Sequence, residues 1–352
     1  MTMKLLGTYI DAAILVQQNE PLLIEKVKLP NFLDVGQVLV KVNLSGICGS
    51  QVGEILGTKG PDKFLPHLLG HEGCATVLEI GPGVSHVKPG DLVVLHWRKG
   101  LGIQSKPPIY FWNNNKINAG WVTTFNSHAI VSENRCTKIP NDTNHELAAL
   151  FGCAITTGFG VVENNAKLKM GESVVVFGAG GIGLNIIQAA SLNSCYPIIA
   201  IDLHDNRLEL AKKLGASHVI NSTTNNAELE IGKILKSEKL DVFIDNTGVT
   251  KIIEKGYKLT GPFGRVVLVG VPKKGDDITI HSLPLHFGKV IIGSHGGEST
   301  PNEDIPRYLK LFNQNLWNIN GIITARYPLN QINLAMDAMK KGETAGRVIL
   351  SI

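Results

Sequence analysis

The pattern of hydrophobic and polar positions changes character near residue 155. Before that point, short apolar runs such as Gln37–Leu44, Ala75–Ile80 and Leu92–Leu95 are separated by turn signals, among them Gly81-Pro82-Gly83. Short strand-like runs of this kind predict a compact, mostly antiparallel β domain. Beyond residue 155, strand-like apolar runs alternate with helix-like segments. That alternation predicts an α/β fold with a doubly wound parallel sheet.

The second half can be divided into individual elements. The predicted strands are Val174–Phe177, Pro197–Asp202, His218–Ile220, Asp241–Asp245, Arg265–Val271 and Lys289–Gly293. The predicted helices are Leu184–Ala190, Asn206–Leu214, Ala227–Lys236 and Thr250–Leu259. The tail no longer continues this alternation. Its predicted elements are helices at Pro306–Phe312 and Leu329–Lys341 and a strand at Arg347–Leu350. We therefore expect one domain from residues 1–154 and 297–352, with a second, 155–296, inserted into it.

The stretch 174–183, VVVFGAGGIG, carries the clearest chemical signal. A buried strand runs into Gly178, Gly180 and Gly183, which have the spacing of a dinucleotide-binding loop. In such loops the first glycine makes the tight turn and the second lets the backbone approach a pyrophosphate. The third lets the helix pack closely on the strand. The helix N-terminus then favours the negative charge of the phosphates.

Asp202 ends the next predicted strand, 19 residues after Gly183. An acid at this position binds the adenosine ribose hydroxyls and repels a 2′-phosphate, so NAD is favoured over NADP. Arg207, five residues further on, leaves NADP open, because an arginine here accommodates that phosphate. The structural alternative for Asp202 is a turn or helix-capping residue.

Composition narrows the class of protein. The 352 residues are 43% hydrophobic and 18% charged with a net charge of +4, which is typical of a globular protein and indicates no nucleic-acid or membrane partner. The N-terminus lacks a signal-peptide pattern, and no apolar run approaches the roughly 20 residues that span a bilayer. Five scattered cysteines suit reduced thiols or metal ligands, and we expect a cytoplasmic protein.

Cys48, His71 and Cys153 form a set with the chemistry of a catalytic zinc site. Two thiolates and an imidazole are a common three-ligand set that leaves the fourth position open. Taken singly, each residue has an ordinary structural explanation: a buried cysteine packs as a small hydrophobe, and a histidine is often held by hydrogen bonds.

The motifs together resemble those of the medium-chain dehydrogenase/reductase superfamily, in its zinc-dependent alcohol dehydrogenase family. The resemblance covers essentially the whole chain and rests on GICGS at 46–50, GHEG at 70–73, GCAITTGFG at 152–160, GAGGIG at 178–183, VGVP at 269–272 and GRV at 346–348. It implies a GroES-like catalytic domain with an inserted Rossmann domain that binds NAD.

The resemblance also implies roles for individual residues. Cys48, His71 and Cys153 match the ligands of one catalytic zinc per subunit, Glu72 the acid beside it, and Ser50 the hydroxyl that passes on the alcohol proton. The implied cofactor contacts are Thr157, Gly178, Gly180, Gly181, Ile182, Gly183, Asp202, Arg207, Gly270, Val271 and, near the pyrophosphate, Arg347. Trp97 matches an aromatic residue of the substrate pocket.

Three features depart from the family pattern. The segment 96–123 lacks the four closely spaced cysteines of many relatives, so no structural zinc is expected; we interpret its aromatic residues as packing, with lining of the substrate cleft as the alternative. Gln51 replaces an aspartate that supports the zinc-binding histidine, so either the metal affinity or the electronic properties of the zinc are expected to differ. Gly53 replaces a histidine that ends the proton relay in some alcohol dehydrogenases.

The sequence thus predicts a zinc-dependent oxidoreductase that transfers a hydride between an alcohol, or its carbonyl product, and NAD. A polyol, sugar or sugar-derivative dehydrogenase with the same mechanism stays open. A zinc-free double-bond reductase has no use for the three ligands, and intact Ser50 and Glu72 disfavour a non-catalytic NAD-binding protein. By analogy with relatives we expect a homodimer or homotetramer.

Overall fold

The computed structural model describes residues 5–236 and 238–352. Contacts divide the chain into two units. The first comprises the chain up to Cys153 together with Thr300–Lys310 and Ile323–Ile352. The second comprises Ala154–Ser299 and Leu311–Ile322.

The described residues form strands and α-helices, numbered here in chain order. The strands are β1 (Tyr9–Leu15), β2 (Leu23–Lys28), β3 (Gln37–Ile47), β4 (His67–Leu68), β5 (Glu72–Ile80), β6 (Leu92–His96), β7 (Tyr110–Trp112), β8 (Asn115–Ile117), β9 (His128–Ser132), β10 (Cys136–Ile139), β11 (Val174–Phe177), β12 (Ile198–Asp202), β13 (His218–Asn221), β14 (Leu240–Asp245), β15 (Thr260–Leu268), β16 (Val290–Gly293), β17 (Ile323–Pro328) and β18 (Arg347–Ser351). The α-helices are α1 (Gly49–Ile55), α2 (His145–Phe151), α3 (Ala154–Gly160), α4 (Gly181–Leu192), α5 (Asp205–Lys213), α6 (Ala227–Leu235), α7 (Thr250–Leu259), α8 (Pro301–Asn313) and α9 (Ile332–Lys340).

The first unit is built on two sheets of mostly antiparallel strands. One has the order β4-β1-β2-β7-β8, and the other β10-β6-β5-β3-β18-β17, with β9 also on β3. The long strand β3 lies at the centre of the second sheet: it pairs with β5 along one edge, and with β9 and then β18 along the other. The mainly antiparallel arrangement predicted for this half, and the GroES-like fold class, are confirmed.

The second unit has one parallel sheet with the order β13-β12-β11-β14-β15-β16. The order runs outward from β11 in both directions, which is the doubly wound arrangement predicted from the sequence. Val175, Ile199, Phe243 and Val266 from four neighbouring strands form the centre of its core, and each is at most 1% exposed. A parallel sheet of this kind places its binding edge at the carboxyl ends of the strands, where the loop after β11 lies.

One predicted strand ends earlier than expected. Arg265–Val271 reads as continuous, but β15 stops at Leu268, where its pairing with β14 ends opposite Asp245. Beyond that point Gly270 passes close to a neighbouring loop, since a Cβ on it would lie 2.1 Å from the backbone nitrogen of Gly248. This close approach requires glycine and turns the chain out of the sheet.

The tail also differs from its predicted form. α8 begins at Pro301 rather than Pro306, because Pro301 takes the start of the helix, where a missing N–H costs little. Leu311–Ile322, expected in the first domain, belongs to the second unit. There Trp317 packs edge-on against Phe159 and Phe312, with ring centroids 5.1 Å apart in both pairs.

Hydrogen bonds and aromatic packing order the segment 96–123. Tyr110 is fully buried, and its hydroxyl accepts a hydrogen bond from the backbone N–H of Ile130 (2.8 Å). The buried carboxylate of Glu133 accepts hydrogen bonds from the backbone N–H groups of Ser85, His86 and Ile103, at 2.7, 2.9 and 2.7 Å. The packing role interpreted from the sequence is therefore present in this segment.

No single helix among the described residues is both long and apolar enough to cross a membrane. The neighbouring segments His145–Phe151 and Ala154–Ala166 reach that length and composition only when taken together, with a bend between them.

Candidate active site

Three loops of the first unit bring Cys48, His71 and Cys153 together. β3 delivers Cys48 to the start of α1, His71 immediately precedes β5, and Cys153 follows α2 by two residues. Their ligand atoms all lie within 4.8 Å of one another. The sequence separates Cys48 from Cys153 by more than a hundred positions, so the fold alone creates this cluster.

Glycines make the close approach possible. At Gly152 a Cβ would lie 2.3 Å from the carbonyl oxygen of Leu95 and 2.6 Å from Cα of Glu72. At Gly70, where φ is +89°, a Cβ would lie 2.3 Å from Oγ1 of Thr124. Any larger residue at either position would push the adjacent ligand, Cys153 or His71, out of place.

The ring of His71 is oriented by its neighbour on α1. Nδ1 of His71 is in hydrogen-bonding contact with the side-chain amide of Gln51, and Nε2 is buried without a hydrogen-bond partner. The Oγ atom of Ser50 is likewise buried and unpartnered. Buried polar atoms are nearly always satisfied in folded proteins. The two open atoms, together with two thiols and an imidazole, fit a zinc ion with room for an oxygen ligand.

A buried ion pair lies beside these sulfurs. The guanidinium of Arg347, on β18, donates to the carboxylate of Glu72, on β5, and the two residues are 3% and 0% exposed. Burial lowers the pKa of Arg347, but the negative charges of Glu72, Cys48 and Cys153 outweigh burial and raise it. The sequence placed Arg347 near a pyrophosphate; the structure places it against Glu72, and the cofactor contact stays a prediction.

The groups around the cluster favour the thiolate of Cys48, which is the form that binds a metal ion. A hydrogen bond with Cys153 lowers the pKa of Cys48 well below its usual value, and the charge of Arg347 lowers it further. The same contact with Cys48, together with burial, raises the pKa of the Cys153 thiol. Burial lowers the pKa of His71, but the neighbouring sulfur of Cys48 and the carboxylates of Glu72 and Glu54 raise it overall.

A cavity of about 750 Å³ opens beside His71 and Gln51. Phe64, Leu68, Val122 and Trp121 give it an apolar wall, and polar side chains line the remainder: Gln18, Glu54, Lys59, Asp62, Lys63, His67 and Asn118. This composition is typical of a pocket for a small molecule.

The aromatic lining differs from the sequence prediction. The aromatic residues among the described lining are Phe64 and Trp121. Trp97 instead packs edge-on against His71, with ring centroids 6.5 Å apart, so its substrate role stays a prediction. Trp121 lies in the segment 96–123, for which lining of the substrate cleft was the alternative interpretation. Neither Trp121 nor Glu54 could be singled out, because neither has a periodic or spacing signal that separates pocket residues from packing residues.

The glycine loop of the second unit has the geometry predicted for it. Gly178 has φ +96°, and a Cβ on Gly183 would lie 2.0 Å from the carbonyl oxygen of Gly178. A Cβ on Gly180 would meet nothing within 4 Å, so the space at the start of α4 is open. Gly181 and Ile182 form the first turn of α4, whose N–H groups point toward this space.

Asp202 lies at the end of β12, next to this loop. Its carboxylate accepts hydrogen bonds from the backbone N–H groups of Ala179 (2.8 Å), Leu203 (2.8 Å) and His204 (3.1 Å). Arg207 lies 3.6 Å away and forms an ion pair with it. Both the capping and the charge-selecting interpretations of Asp202 are therefore compatible with its contacts.

The remaining predicted cofactor residues lie elsewhere in the second unit. Thr157 is buried on α3, and its backbone carbonyl approaches Gly297 so closely that a Cβ there would lie 2.5 Å away. Gly270 and Val271 follow β15 at the carboxyl edge of the sheet, and Val271 is 66% exposed. Their contacts with a cofactor stay predictions.

Two family profiles match the chain. The profile for the alcohol dehydrogenase GroES-like domain matches residues 34–141, and that for zinc-binding dehydrogenases matches residues 181–314. The chain is 30% identical to an S-(hydroxymethyl)glutathione dehydrogenase of Escherichia coli, over 89% of this chain and 92% of that protein. It is 28% identical to the protein of the same name from Paracoccus denitrificans, over 96% and 99% of the two chains.

A solved structure shows the same fold. Benzyl alcohol dehydrogenase from Acinetobacter calcoaceticus matches with a TM-score of 0.87 and 28% identity, over 98% of this chain and 99% of that one. The similarity therefore extends over both units and is not confined to one motif.

The buried ion pair yields a stability prediction. Arg347→Met leaves the carboxylate of Glu72 buried without its guanidinium, and loss of one partner from a buried pair costs about 3–5 kcal/mol. Urea unfolding followed by tryptophan fluorescence measures the effect, since Trp97, Trp112 and Trp121 lie in the first unit. The double variant Glu72→Gln/Arg347→Met should recover at least half of the loss. A single variant as stable as the wild type would show that the pair is unimportant.

Proposed function

Because the chain belongs to the zinc-dependent medium-chain alcohol dehydrogenase family and is an oxidoreductase acting on CH–OH groups, we propose that it is an NAD-dependent alcohol dehydrogenase with one zinc ion. Cys48, His71 and Cys153 hold that ion, and we expect no structural zinc, because the segment 96–123 lacks the four closely spaced cysteines. The observation that carries the proposal is the meeting of these three side chains beside a cavity of about 750 Å³. When bound, zinc supplies Lewis acidity toward an alcohol or carbonyl oxygen and NAD supplies the hydride acceptor.

The protein's own residues have separate tasks. The cavity holds the substrate with its oxygen toward His71, and its apolar wall at Trp121 and Val122 excludes water from the carbon chain. The open Oγ of Ser50 accepts the hydroxyl proton of the alcohol while Ser50 releases its own O–H proton to water. Arg347 and Glu72 fix the charge balance behind the sulfurs, which keeps the thiolate of Cys48 stable in a buried place.

The second unit supplies a site suited to NAD. The open space at Gly180 and the N-terminus of α4 suit the pyrophosphate. A separate cavity of about 260 Å³ lies next to the end of β11 and offers a recess for the adenine ring. Phe177, Phe243, Ile231 and Ile252 form its apolar side, and polar residues line the remainder: Ser222, Asn225, Asn226, Glu228 and Lys255.

A test of the metal site compares two buried cysteines. Cys153→Ala removes a proposed ligand, whereas Cys74→Ala alters a cysteine on β5 outside the cluster. Protein purified in a buffer that contains zinc and no chelator should contain about one zinc per chain in the wild type and Cys74→Ala. Cys153→Ala should contain almost none and lose turnover, but keep its binding of NADH, measured by fluorescence. Intact activity at near-zero zinc would refute the zinc mechanism, and full zinc content in Cys153→Ala would refute the ligand set.

A panel of alcohols, polyols and sugars, followed by NADH absorbance, identifies the substrate.

A second test concerns the choice of cofactor. The carboxylate of Asp202 repels a 2′-phosphate, so Asp202→Ala should lower the ratio of kcat/KM with NAD to kcat/KM with NADP by at least about tenfold, equivalent to about 1.4 kcal/mol. The ratio is the relevant measure, because loss of the hydrogen bond to Ala179 weakens the binding of both cofactors. Asp205→Ala, in the first turn of α5, is the matched control and should leave the ratio unchanged. An unchanged ratio in Asp202→Ala would contradict the assignment.

The open edge of the parallel sheet supports a homodimer. On the described part of the chain, β16 pairs with β15 along one edge only. Val290 and Ile292 on this strand are 41% and 40% exposed, and Phe287 just before it is 67% exposed. A strand edge flanked by apolar side chains is a template for pairing with a second copy.

Light scattering checks this interface. Ile292→Lys places a charge in the proposed contact and should convert a dimer into a monomer. Leu229→Lys, at a position on α6 that is 64% exposed, should leave the mass unchanged. A monomeric wild type, or a dimeric Ile292→Lys variant, would exclude this interface.

A further inference from the structure

Gln51 connects two groups of the metal site through the two ends of one amide. Its Oε1 accepts a hydrogen bond from the backbone N–H of Cys48 at 3.0 Å. Its Nε2 contacts Nδ1 of His71. Gln51 is only 1% exposed, so solvent does not compete for either end.

The backbone of Cys48 fixes which end faces the histidine. A backbone N–H is always a donor, so the end of the amide toward Cys48 must be the oxygen. The end toward His71 is then the NH₂ group, which only donates. Nδ1 of His71 must therefore accept, and a neutral imidazole that accepts at Nδ1 carries its proton on Nε2.

This arrangement opposes metal binding. With Nδ1 held by Gln51, Nε2 is the atom that His71 offers to an ion shared with the two cysteines. A metal ligand must be unprotonated. If the proton moves to Nδ1, the N–H of His71 and the NH₂ group of Gln51 face each other as two donors without an acceptor. If the amide turns over instead, its NH₂ group faces the backbone N–H of Cys48, which is again a pair of donors. A ligand histidine ordinarily donates its second N–H to a carboxylate, a carbonyl or water.

We propose that Gln51 weakens zinc binding at Cys48, His71 and Cys153, by holding His71 in the tautomer that is protonated on Nε2. The inference rests on the ligand set of the proposed function. Its consequence is an exchangeable metal: the fraction of active enzyme follows the supply of zinc, and Gln51 acts as a positioning residue that sets this dependence.

The isosteric variant Gln51→Glu tests the proposal. One carboxylate oxygen keeps the hydrogen bond from Cys48, and the other accepts from Nδ1–H of His71. Removal of zinc from the full-length protein by a competing chelator of known affinity gives the dissociation constant. Gln51→Glu should lower it about 10–100-fold, the usual range for partners of ligand residues.

A matched control separates this effect from added charge. Gly49→Asp places one carboxylate on the same helix, where a Cβ meets nothing within 4 Å, and leaves the amide of Gln51 in place. Gly49→Asp should change the dissociation constant by less than about threefold, well below the effect expected of a ligand's partner. Equal tightening in both variants, or no tightening in Gln51→Glu, would overturn the proposal.

Two further measurements cover the remaining outcomes. Nitrogen-15 NMR of the zinc-free wild-type protein, labelled at histidine and recorded at a pH at which the ring is neutral, should show His71 protonated on Nε2; a neutral ring with its proton on Nδ1 would overturn the proposal without any variant. His71→Ala should weaken zinc binding strongly. If it does not, the ligand set itself is wrong, and the proposed function fails together with this inference.

Discussion

The ion pair between Glu72 and Arg347 is the contact on which the arrangement of the catalytic cluster depends. It joins β5 to β18, which flank β3 on its two edges, and β3 ends at Ile47, immediately before Cys48. A buried carboxylate beside two cysteine sulfurs would be strongly unfavourable without a cation, because like charges in a poorly solvated place repel. Arg347 removes that conflict, and the C-terminal strand therefore contributes to a site whose other members lie far away in the sequence.

Glycines determine how closely the backbone segments approach one another around this pair. A Cβ on Gly46 would lie 2.5 Å from Oε1 of Glu72, and one on Gly152 would lie 2.6 Å from Cα of Glu72. Glu72 thus fills the space that these two residues leave empty, with its carboxylate at Gly46 and with Cα and Cβ at Gly152. In the second unit, Gly183 does the same for the loop at Gly178. In both units the residue without a side chain brings chemical groups together, so a motif of glycines predicts a site better than it predicts a strand or a helix.

Much of this organisation could be predicted from the sequence. The strand–glycine loop–helix order at 174–190 predicts both the parallel sheet and the open space at Gly180, since each follows from local spacing. The resemblance predicted the convergence of Cys48, His71 and Cys153, which no local pattern could show. Contacts that depend on side-chain direction were inaccessible. Arg347 reads as an ordinary arginine near a terminus, and its contact with Glu72 follows only from the register of β18 on β3. Which tryptophan lines the cavity also depends on side-chain direction and could not be predicted: among the described residues Trp121 lines it, and Trp97 does not.

Asp202 and Gln51 differ in the number of oxygen atoms that can accept hydrogen bonds, and this number determines which partners each buried side chain can satisfy. Asp202 has two carboxylate oxygens, and three backbone N–H groups share them, so it anchors the glycine loop and still presents charge toward Arg207. Gln51 has one oxygen, which the N–H of Cys48 occupies, so nothing remains to accept a proton from His71. An amide and a carboxylate of equal size therefore have opposite effects on a ring nitrogen: the NH₂ group of the amide requires that the nitrogen accept, and the carboxylate oxygen requires that it donate. The exchange of a single oxygen for NH₂ leaves the fold and the ligand set in place but changes which nitrogen of His71 carries the proton.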